Sequence, residues 1–117
     1  MDNKRQLGKH YEQLAGQYLE LQGYEILEYN FYSRSGEIDI IAKQDGYLVF
    51  IEVKYRKSKV VGHPLEAVSI QKQRTISKCA MFYMKTHGLE YMPVRFDVVG
   101  VLGEDIVVIP NAFDYRA

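Results

Sequence analysis

The sequence predicts a single α/β domain, and three observations carry that prediction. The 117 residues are 47% hydrophobic and 26% charged, enough apolar material for one independent core at that length. Two stretches repeat their apolar residues at helical spacing, one at the N-terminus and one after residue 64. Five more are rich in β-branched and aromatic residues with turn signals between them. The order is α-β-β-β-α-β-β within one domain spanning residues 1–117, without repeats, linkers or low-complexity segments.

From Asn3 to about Gln22, Leu7, Tyr11, Leu14, Ala15, Tyr18 and Leu19 describe one helical stripe, and Gly23 stops it. Three β-rich runs follow, Tyr24–Tyr32, Gly36–Lys43 and Tyr47–Arg56. Gln44-Asp45-Gly46 joins the last two, and Asp-Gly is a strong hairpin signal. Lys57–His63 reads as a loop. Pro64 suits the first turn of a second helix reaching about Thr86, closed by His87-Gly88. Val94–Leu102 and Asp105–Ile109 flank a turn at Gly103-Glu104, and the tail from Pro110 carries no signal.

Composition excludes several classes. The chain is too apolar and aromatic for a disordered protein. No apolar run approaches the roughly 20 residues of a membrane helix, and the N-terminal segment lacks the apolar stretch of a secretory signal, so the cytoplasm is the expected location. Cys79 is the lone cysteine, which rules out an intramolecular disulfide or a cysteine-rich zinc site. The formal net charge of zero conceals a gradient. Residues 1–53 carry five basic against nine acidic side chains, residues 54–85 eight against one, and residues 86–117 two against five. A basic stretch between acidic ones suits a protein that touches phosphates on one face, and equally a solvated helix with its loop.

The residues that carry chemistry lie in Gly36–Ala42 and Leu48–Lys54. Alternation puts Glu52 and Lys54 on the strand face of Leu48 and Phe50, so that face turns from apolar to charged. A carboxylate there is costly unless a cation or hydrogen bonds compensate it. Through the Asp-Gly hairpin, Asp39, with Glu37 on its face, can lie beside them. Two carboxylates beside an ammonium, with a backbone carbonyl such as that of Val53, make a hard-cation site suited to Mg²⁺ or Mn²⁺. Such an ion polarises phosphoryl oxygens, and Lys54 is placed to stabilise the developing charge. The same residues would also serve as a plain ion pair, Glu52–Lys54 or Asp39–Lys54. Glu12 falls at the edge of the first helix's stripe. Lys72 falls near the centre of the second stripe, formed by Leu65, Val68, Ile76, Cys79, Ala80 and Tyr83, and Gln73 falls at its edge. A central lysine must reach water or meet an anion. His63, beside Pro64, is assigned to solvent.

Gly-Glu-Ile-Asp-Ile-Ile-Ala, Leu-Val-Phe-Ile-Glu-Val-Lys-Tyr-Arg, Gly62-His63-Pro64-Leu65-Glu66-Ala67-Val68 and Arg95-Phe96-Asp97-Val98-Val99, following a helix, closely resemble the small bacterial YraN-like family. That family is similar to the archaeal Holliday-junction resolvases of the restriction-endonuclease-like superfamily. The resemblance spans residues 7 to about 102. It implies a restriction-endonuclease-like domain, a central mixed β-sheet flanked by helices. By that resemblance, Asp39 matches the metal-binding aspartate, Glu52 the metal-binding acid and Lys54 the catalytic lysine. Glu12 matches the first-helix acid, and Gln73 or Lys72 the polar position on the second helix. The family usually has glycine before the first-helix acid. Tyr11 stands there instead and narrows the approach to Glu12. Arg95 and Asp97 read as a structural pair. Arg34, Arg56, Lys57 and Lys59, with Lys72 and Arg74, are the expected phosphate contacts.

The function implied is a divalent-metal-dependent endonuclease acting on structured or branched DNA, working as a homodimer because a resolvase cuts two symmetry-related strands. The alternative is a nucleic-acid-binding protein on the same fold that cuts little or nothing. The converging carboxylates argue for the first, and the neutral net charge for the second.

Overall fold

Five strands of nine or ten residues form one sheet because the central runs are apolar on both faces and helices cover both. The structure is a computed structural model and describes residues 3–57 and 68–117. The strands β1 (Glu25–Ser33), β2 (Gly36–Gln44), β3 (Tyr47–Arg56), β4 (Val94–Leu102) and β5 (Asp105–Phe113) lie side by side in chain order. All neighbours are antiparallel except β3 and β4, which run parallel. A parallel pair needs a crossover, and helix α2 (Ile70–Thr86) lies within it. Helix α1 (Asn3–Leu21) covers the other face. The mixed sheet, its two flanking helices and the order α-β-β-β-α-β-β are as expected.

Two cores result. On the α2 side, Leu48, Phe50, Ile38, Ile41, Phe96 and Val98 pack against Ile76, Cys79, Ala80 and Tyr83. On the α1 side, Val49, Ile51, Ile40, Ala42 and Val99 pack against Ala15 and Leu19. Each buried valine, leucine, isoleucine or phenylalanine among them contributes roughly 1.5–3 kcal/mol. The Asp45-Gly46 turn has positive φ at both central residues, 52° and 81°, which matches the right-handed twist of a hairpin.

Helix ends follow local chemistry. Gly23 (φ 93°) follows α1, with Gly23 N–H donating to the Glu20 carbonyl and Tyr24 N–H to the Leu19 carbonyl, a Schellman stop. The α1 stripe is buried only in its second half. Ala15 and Leu19 are fully buried, whereas Leu7 is 47% exposed. The second helix starts later than expected. Ser69 is extended (φ −65°, ψ 163°), and its hydroxyl accepts the Lys72 N–H, making it the N-cap. His63, Pro64 and Leu65 lie outside the described residues. Without Val68 in the helix the stripe recentres on Gln73, Ile76, Ala80 and Tyr83, so Lys72 sits on its rim and not near its centre. The last strand runs past Ile109 to Phe113, whose ring stacks on Phe96 at 5.1 Å, so the featureless tail completes the sheet. Among the described residues no helix is long and apolar enough to cross a membrane.

Candidate metal centre

Asp39 marks the place where β2 leaves β3. The β2–β3 ladder ends at Ile40↔Ile51, while β1 continues along β2 to Ser33↔Gly36. A regular strand would put Ile38 and Ile40 on one face. Here Ile38 enters the α2-side core and Ile40 the α1-side core, so the pleat is broken at Asp39. Across from it, Asn30 takes φ 54° and the β1–β2 pairing skips from Tyr29↔Ile40 to Phe31↔Ile38. Into the gap goes the Asp39 carboxylate, whose Oδ2 accepts the Val53 N–H at 2.8 Å. The side chain thus replaces a ladder partner of β3 and can be reached from both faces of the sheet.

Both faces deliver carboxylates to it. From the α1 side, Glu12 and Glu37 converge, and ligand oxygens of Glu12, Glu37 and Asp39 all lie within 4.8 Å of one another. From the α2 side comes Glu52, buried and near enough for its charge to bear on Asp39. Among the described residues the compensating cations are few. Lys54 Nζ lies 3.2 Å and Lys72 Nζ 3.6 Å from the same oxygen, Glu52 Oε2. Glu12 Oε1 is buried without a hydrogen-bond partner.

The titration behaviour follows from that imbalance. Burial first, then the neighbouring charge of Glu52, pushes the Asp39 carboxyl well above the ordinary aspartate range, and the Val53 N–H opposes them only in part. Burial likewise raises Glu12, against hydrogen bonds from its Asp39 and Asn30 neighbours. Two carboxyl groups held back from ionising, one of them with an orphan buried oxygen, form a site short of positive charge.

A second strand aspartate supplies the contrast. Asp97 is fully buried where Asp39 is half-buried, and it too accepts a backbone N–H across a bulge, from Asn111 at 2.9 Å. Its charge, however, is met by a bidentate Arg95 (2.9 and 2.7 Å) and by the Tyr24 hydroxyl at 2.7 Å. Burial and the bond to Asp97 push the Tyr24 phenol far up, so it stays a donor. Arg95 and Asp97 are the structural pair expected from sequence. Among the described residues Asp39 has no such arginine.

The structure therefore brings Asp39, Glu52, Lys54 and Glu12 together and adds Lys72 from the rim of α2. It also adds Glu37, which sequence reading placed on the Asp39 face without assigning it a role. The clue was present, since both precede the strand centre by alternation, but only the broken pleat shows them meeting. Val53 meets Asp39 through its N–H; its carbonyl was the expected contributor. Gln73 is not in the cluster: buried, it donates to the Val68 carbonyl at 3.0 Å and accepts from Arg116 Nε at 2.6 Å. Of the two candidates on α2, Lys72 is the one that reaches the carboxylates. Tyr11 turns aside and stacks on Tyr55 at 3.9 Å. Beside the cluster, a cleft of about 220 Å³ is lined by Arg5, Lys9, Glu12, Asn30, Tyr32 and Glu37. Arg34 and Arg74 are exposed around the α2 side, Lys57 is exposed at the end of β3, and Arg56 donates to the Tyr55 carbonyl at 2.8 Å. Lys59 lies outside the described residues.

Comparison with known proteins places this arrangement in context. The family described as "Uncharacterised protein family UPF0102" matches residues 11–101. A UPF0102 protein of Lachnoclostridium phytofermentans is 51% identical over 113 residues, 96% of each chain. Others from Persephonella marina (44%, covering 92% of each chain) and Syntrophomonas wolfei (45%, covering 93% of this chain and 98% of the relative) are similar over the same extent.

Proposed function

The chain belongs to the UPF0102 family, and from the carboxylate geometry, together with the likeness of its motifs to the resolvases, we propose that it is a divalent-metal-dependent endonuclease cleaving phosphodiester bonds in structured or branched DNA. The observation that carries this reading is the under-neutralised cluster at the parting of β2 and β3. Four carboxylates meet there, and two lysines compensate one of them. A structural ion-pair network would be satisfied, as Asp97 is. This one leaves a buried oxygen of Glu12 unpartnered, and its all-oxygen donor set suits Mg²⁺ or Mn²⁺.

Asp39, Glu52 and Glu12, with Glu37, would hold the cation, and the Val53 N–H keeps the Asp39 carboxylate aimed into the gap. When bound, Mg²⁺ or Mn²⁺ supplies Lewis acidity toward a phosphoryl oxygen and eases deprotonation of a nearby water. Lys54 stands over Glu52 and is placed to stabilise the charge that develops on phosphorus oxygens. Lys72, which shares the Glu52 oxygen and is partly exposed, would be placed to meet a phosphate entering beside that carboxylate. A junction-cutting enzyme needs two such sites related by symmetry, so the reading includes a homodimer acting in the cytoplasm.

The test is a cleavage panel of four-way junction, flap, duplex and single strand with Mg²⁺ or Mn²⁺, with Asp39→Ala and Lys54→Ala alongside. Metal-dependent nicking lost in both variants supports the enzyme. Salt-sensitive binding without cleavage in any metal overturns it in favour of the non-catalytic binder.

A further inference from the structure

Along the side of α2 that faces the β1–β2 turn runs a groove the cleavage chemistry does not use. Gln71, Arg74, Thr75, Lys78 and Phe82 recur at intervals of three and four residues and so share one edge of the helix. Across from them stands the turn at Ser33, Arg34 and Ser35. The two sides close tightly. Gly36 (φ 148°) comes so near Thr75 that an added Cβ would lie 2.6 Å from its methyl, so the turn is seated on the helix and does not wave above it. The space between is two adjoining hollows that share Ser35, of about 370 Å³ and 380 Å³. One is bordered by Arg74, Thr75 and Lys78, the other by Arg34 and Phe82.

Three features of this groove point to its occupant. Arg34, Arg74 and Lys78 are exposed, and no carboxylate pairs with them among the described residues. Hydroxyls of Ser35 and Thr75 lie between the cations, and this alternation of charge and hydroxyl suits phosphodiester oxygens. Phe82 is 49% exposed at the far end; its ring tilts toward Phe31 at 6.3 Å and leaves its outer surface open. The groove begins beside Lys72, which reaches Glu52. From Gln71 to Phe82 the helix rises about 16 Å, room for a few nucleotides.

We propose that this groove is a track for single-stranded nucleic acid leading away from the carboxylate cluster, with Arg34, Arg74 and Lys78 on successive phosphates and Phe82 stacking on a base. A single row of cations fits one backbone, and an open aromatic face is of use only to an unpaired base. The inference rests on the nuclease reading and deepens it by assigning the strand a path: branched DNA would place its unpaired segment here.

The test is binding of a labelled 12-nucleotide deoxythymidine strand and of a 12-base-pair duplex, by fluorescence anisotropy in EDTA over a salt series. Arg74→Ala/Lys78→Ala is compared with Lys43→Ala/Lys85→Ala, which removes equal charge outside the groove. Losing two single-strand phosphate contacts should lower the log–log salt slope by roughly 1.4, or about 25-fold in affinity at 0.1 M salt. The control pair should stay within about twofold. Phe82→Ala should weaken the single strand at least about fivefold and leave the duplex unchanged. Thermal melts of all variants check the fold. Groove variants that bind like the wild type overturn the track even if the protein cleaves DNA in Mg²⁺. Equal losses by Phe82→Ala on strand and duplex overturn the single-strand assignment. Groove-dependent binding by a protein that never cleaves upholds the track and removes the nuclease reading.

Discussion

Replacing Asp39 by Asn in metal-free protein should raise stability, an unusual direction for a half-buried, hydrogen-bonded strand residue. The asparagine keeps an oxygen for the Val53 N–H, which Asp39 now accepts at 2.8 Å, and it removes a charge that Glu52 and Glu12 oppose. The gain has an upper bound. The most that a raised carboxyl can cost the folded state at pH 7 is the full protonation of an ordinary aspartate there, about 4 kcal/mol from a reference pKa near 3.9. The Val53 bond and the two lysines on Glu52 reduce it, so about 1–2 kcal/mol is expected, or about 4–8 °C in Tm. Because the folded carboxyl is raised above its unfolded value, the folded state binds more protons, and wild-type stability falls as pH rises through that interval. The advantage of the variant should therefore vanish below about pH 4 and widen toward neutrality. Mg²⁺ or Mn²⁺ should reverse the ranking. At a hundred times its Kd the ion stabilises the wild type by about 2.7 kcal/mol and the variant far less, enough to overturn the variant's lead. Differential scanning calorimetry at pH 4 to 8, with EDTA and with metal, reads all of this. A variant less stable than wild type in EDTA at every pH, and equally stabilised by metal, would show a satisfied network and refute the charge-deficit argument.

Glu52→Gln should give less than half the gain of Asp39→Asn in the same assay, because Lys54 and Lys72 already meet that carboxylate. Asp97→Ala should cost about 3–5 kcal/mol in urea unfolding, since it strands Arg95, only 11% exposed, without its partner; metal-induced stabilisation of the folded fraction should persist. Ser69→Ala should cost about 1 kcal/mol by loss of the α2 cap, read in the same urea titration.

Local pattern determined most of what surrounds the site. Alternation in Leu48–Lys54 placed Glu52 and Lys54 together, Asp45-Gly46 joined that strand to the one bearing Asp39, and Gly23 closed α1. Each of these depends on neighbours within a few residues, so each is written in the chain order. Tertiary structure decided what depends on where elements part or begin. The broken pleat at Asp39, which draws Glu37 and Glu12 to one side and Glu52 to the other, arises from β2 leaving β3, and no periodicity records a parting. Lys72 rather than Gln73 reaches the carboxylates because Ser69 caps the helix and recentres its buried face. Phe113 closes the α2-side core beyond a proline because pairing with β4 resumes after the bulge at Asn111. Sequence named the ionisable groups; only packing could decide that Asp97 would find an arginine and Asp39 would not, since the cost of a buried charge depends on what three-dimensional neighbours leave unpaired.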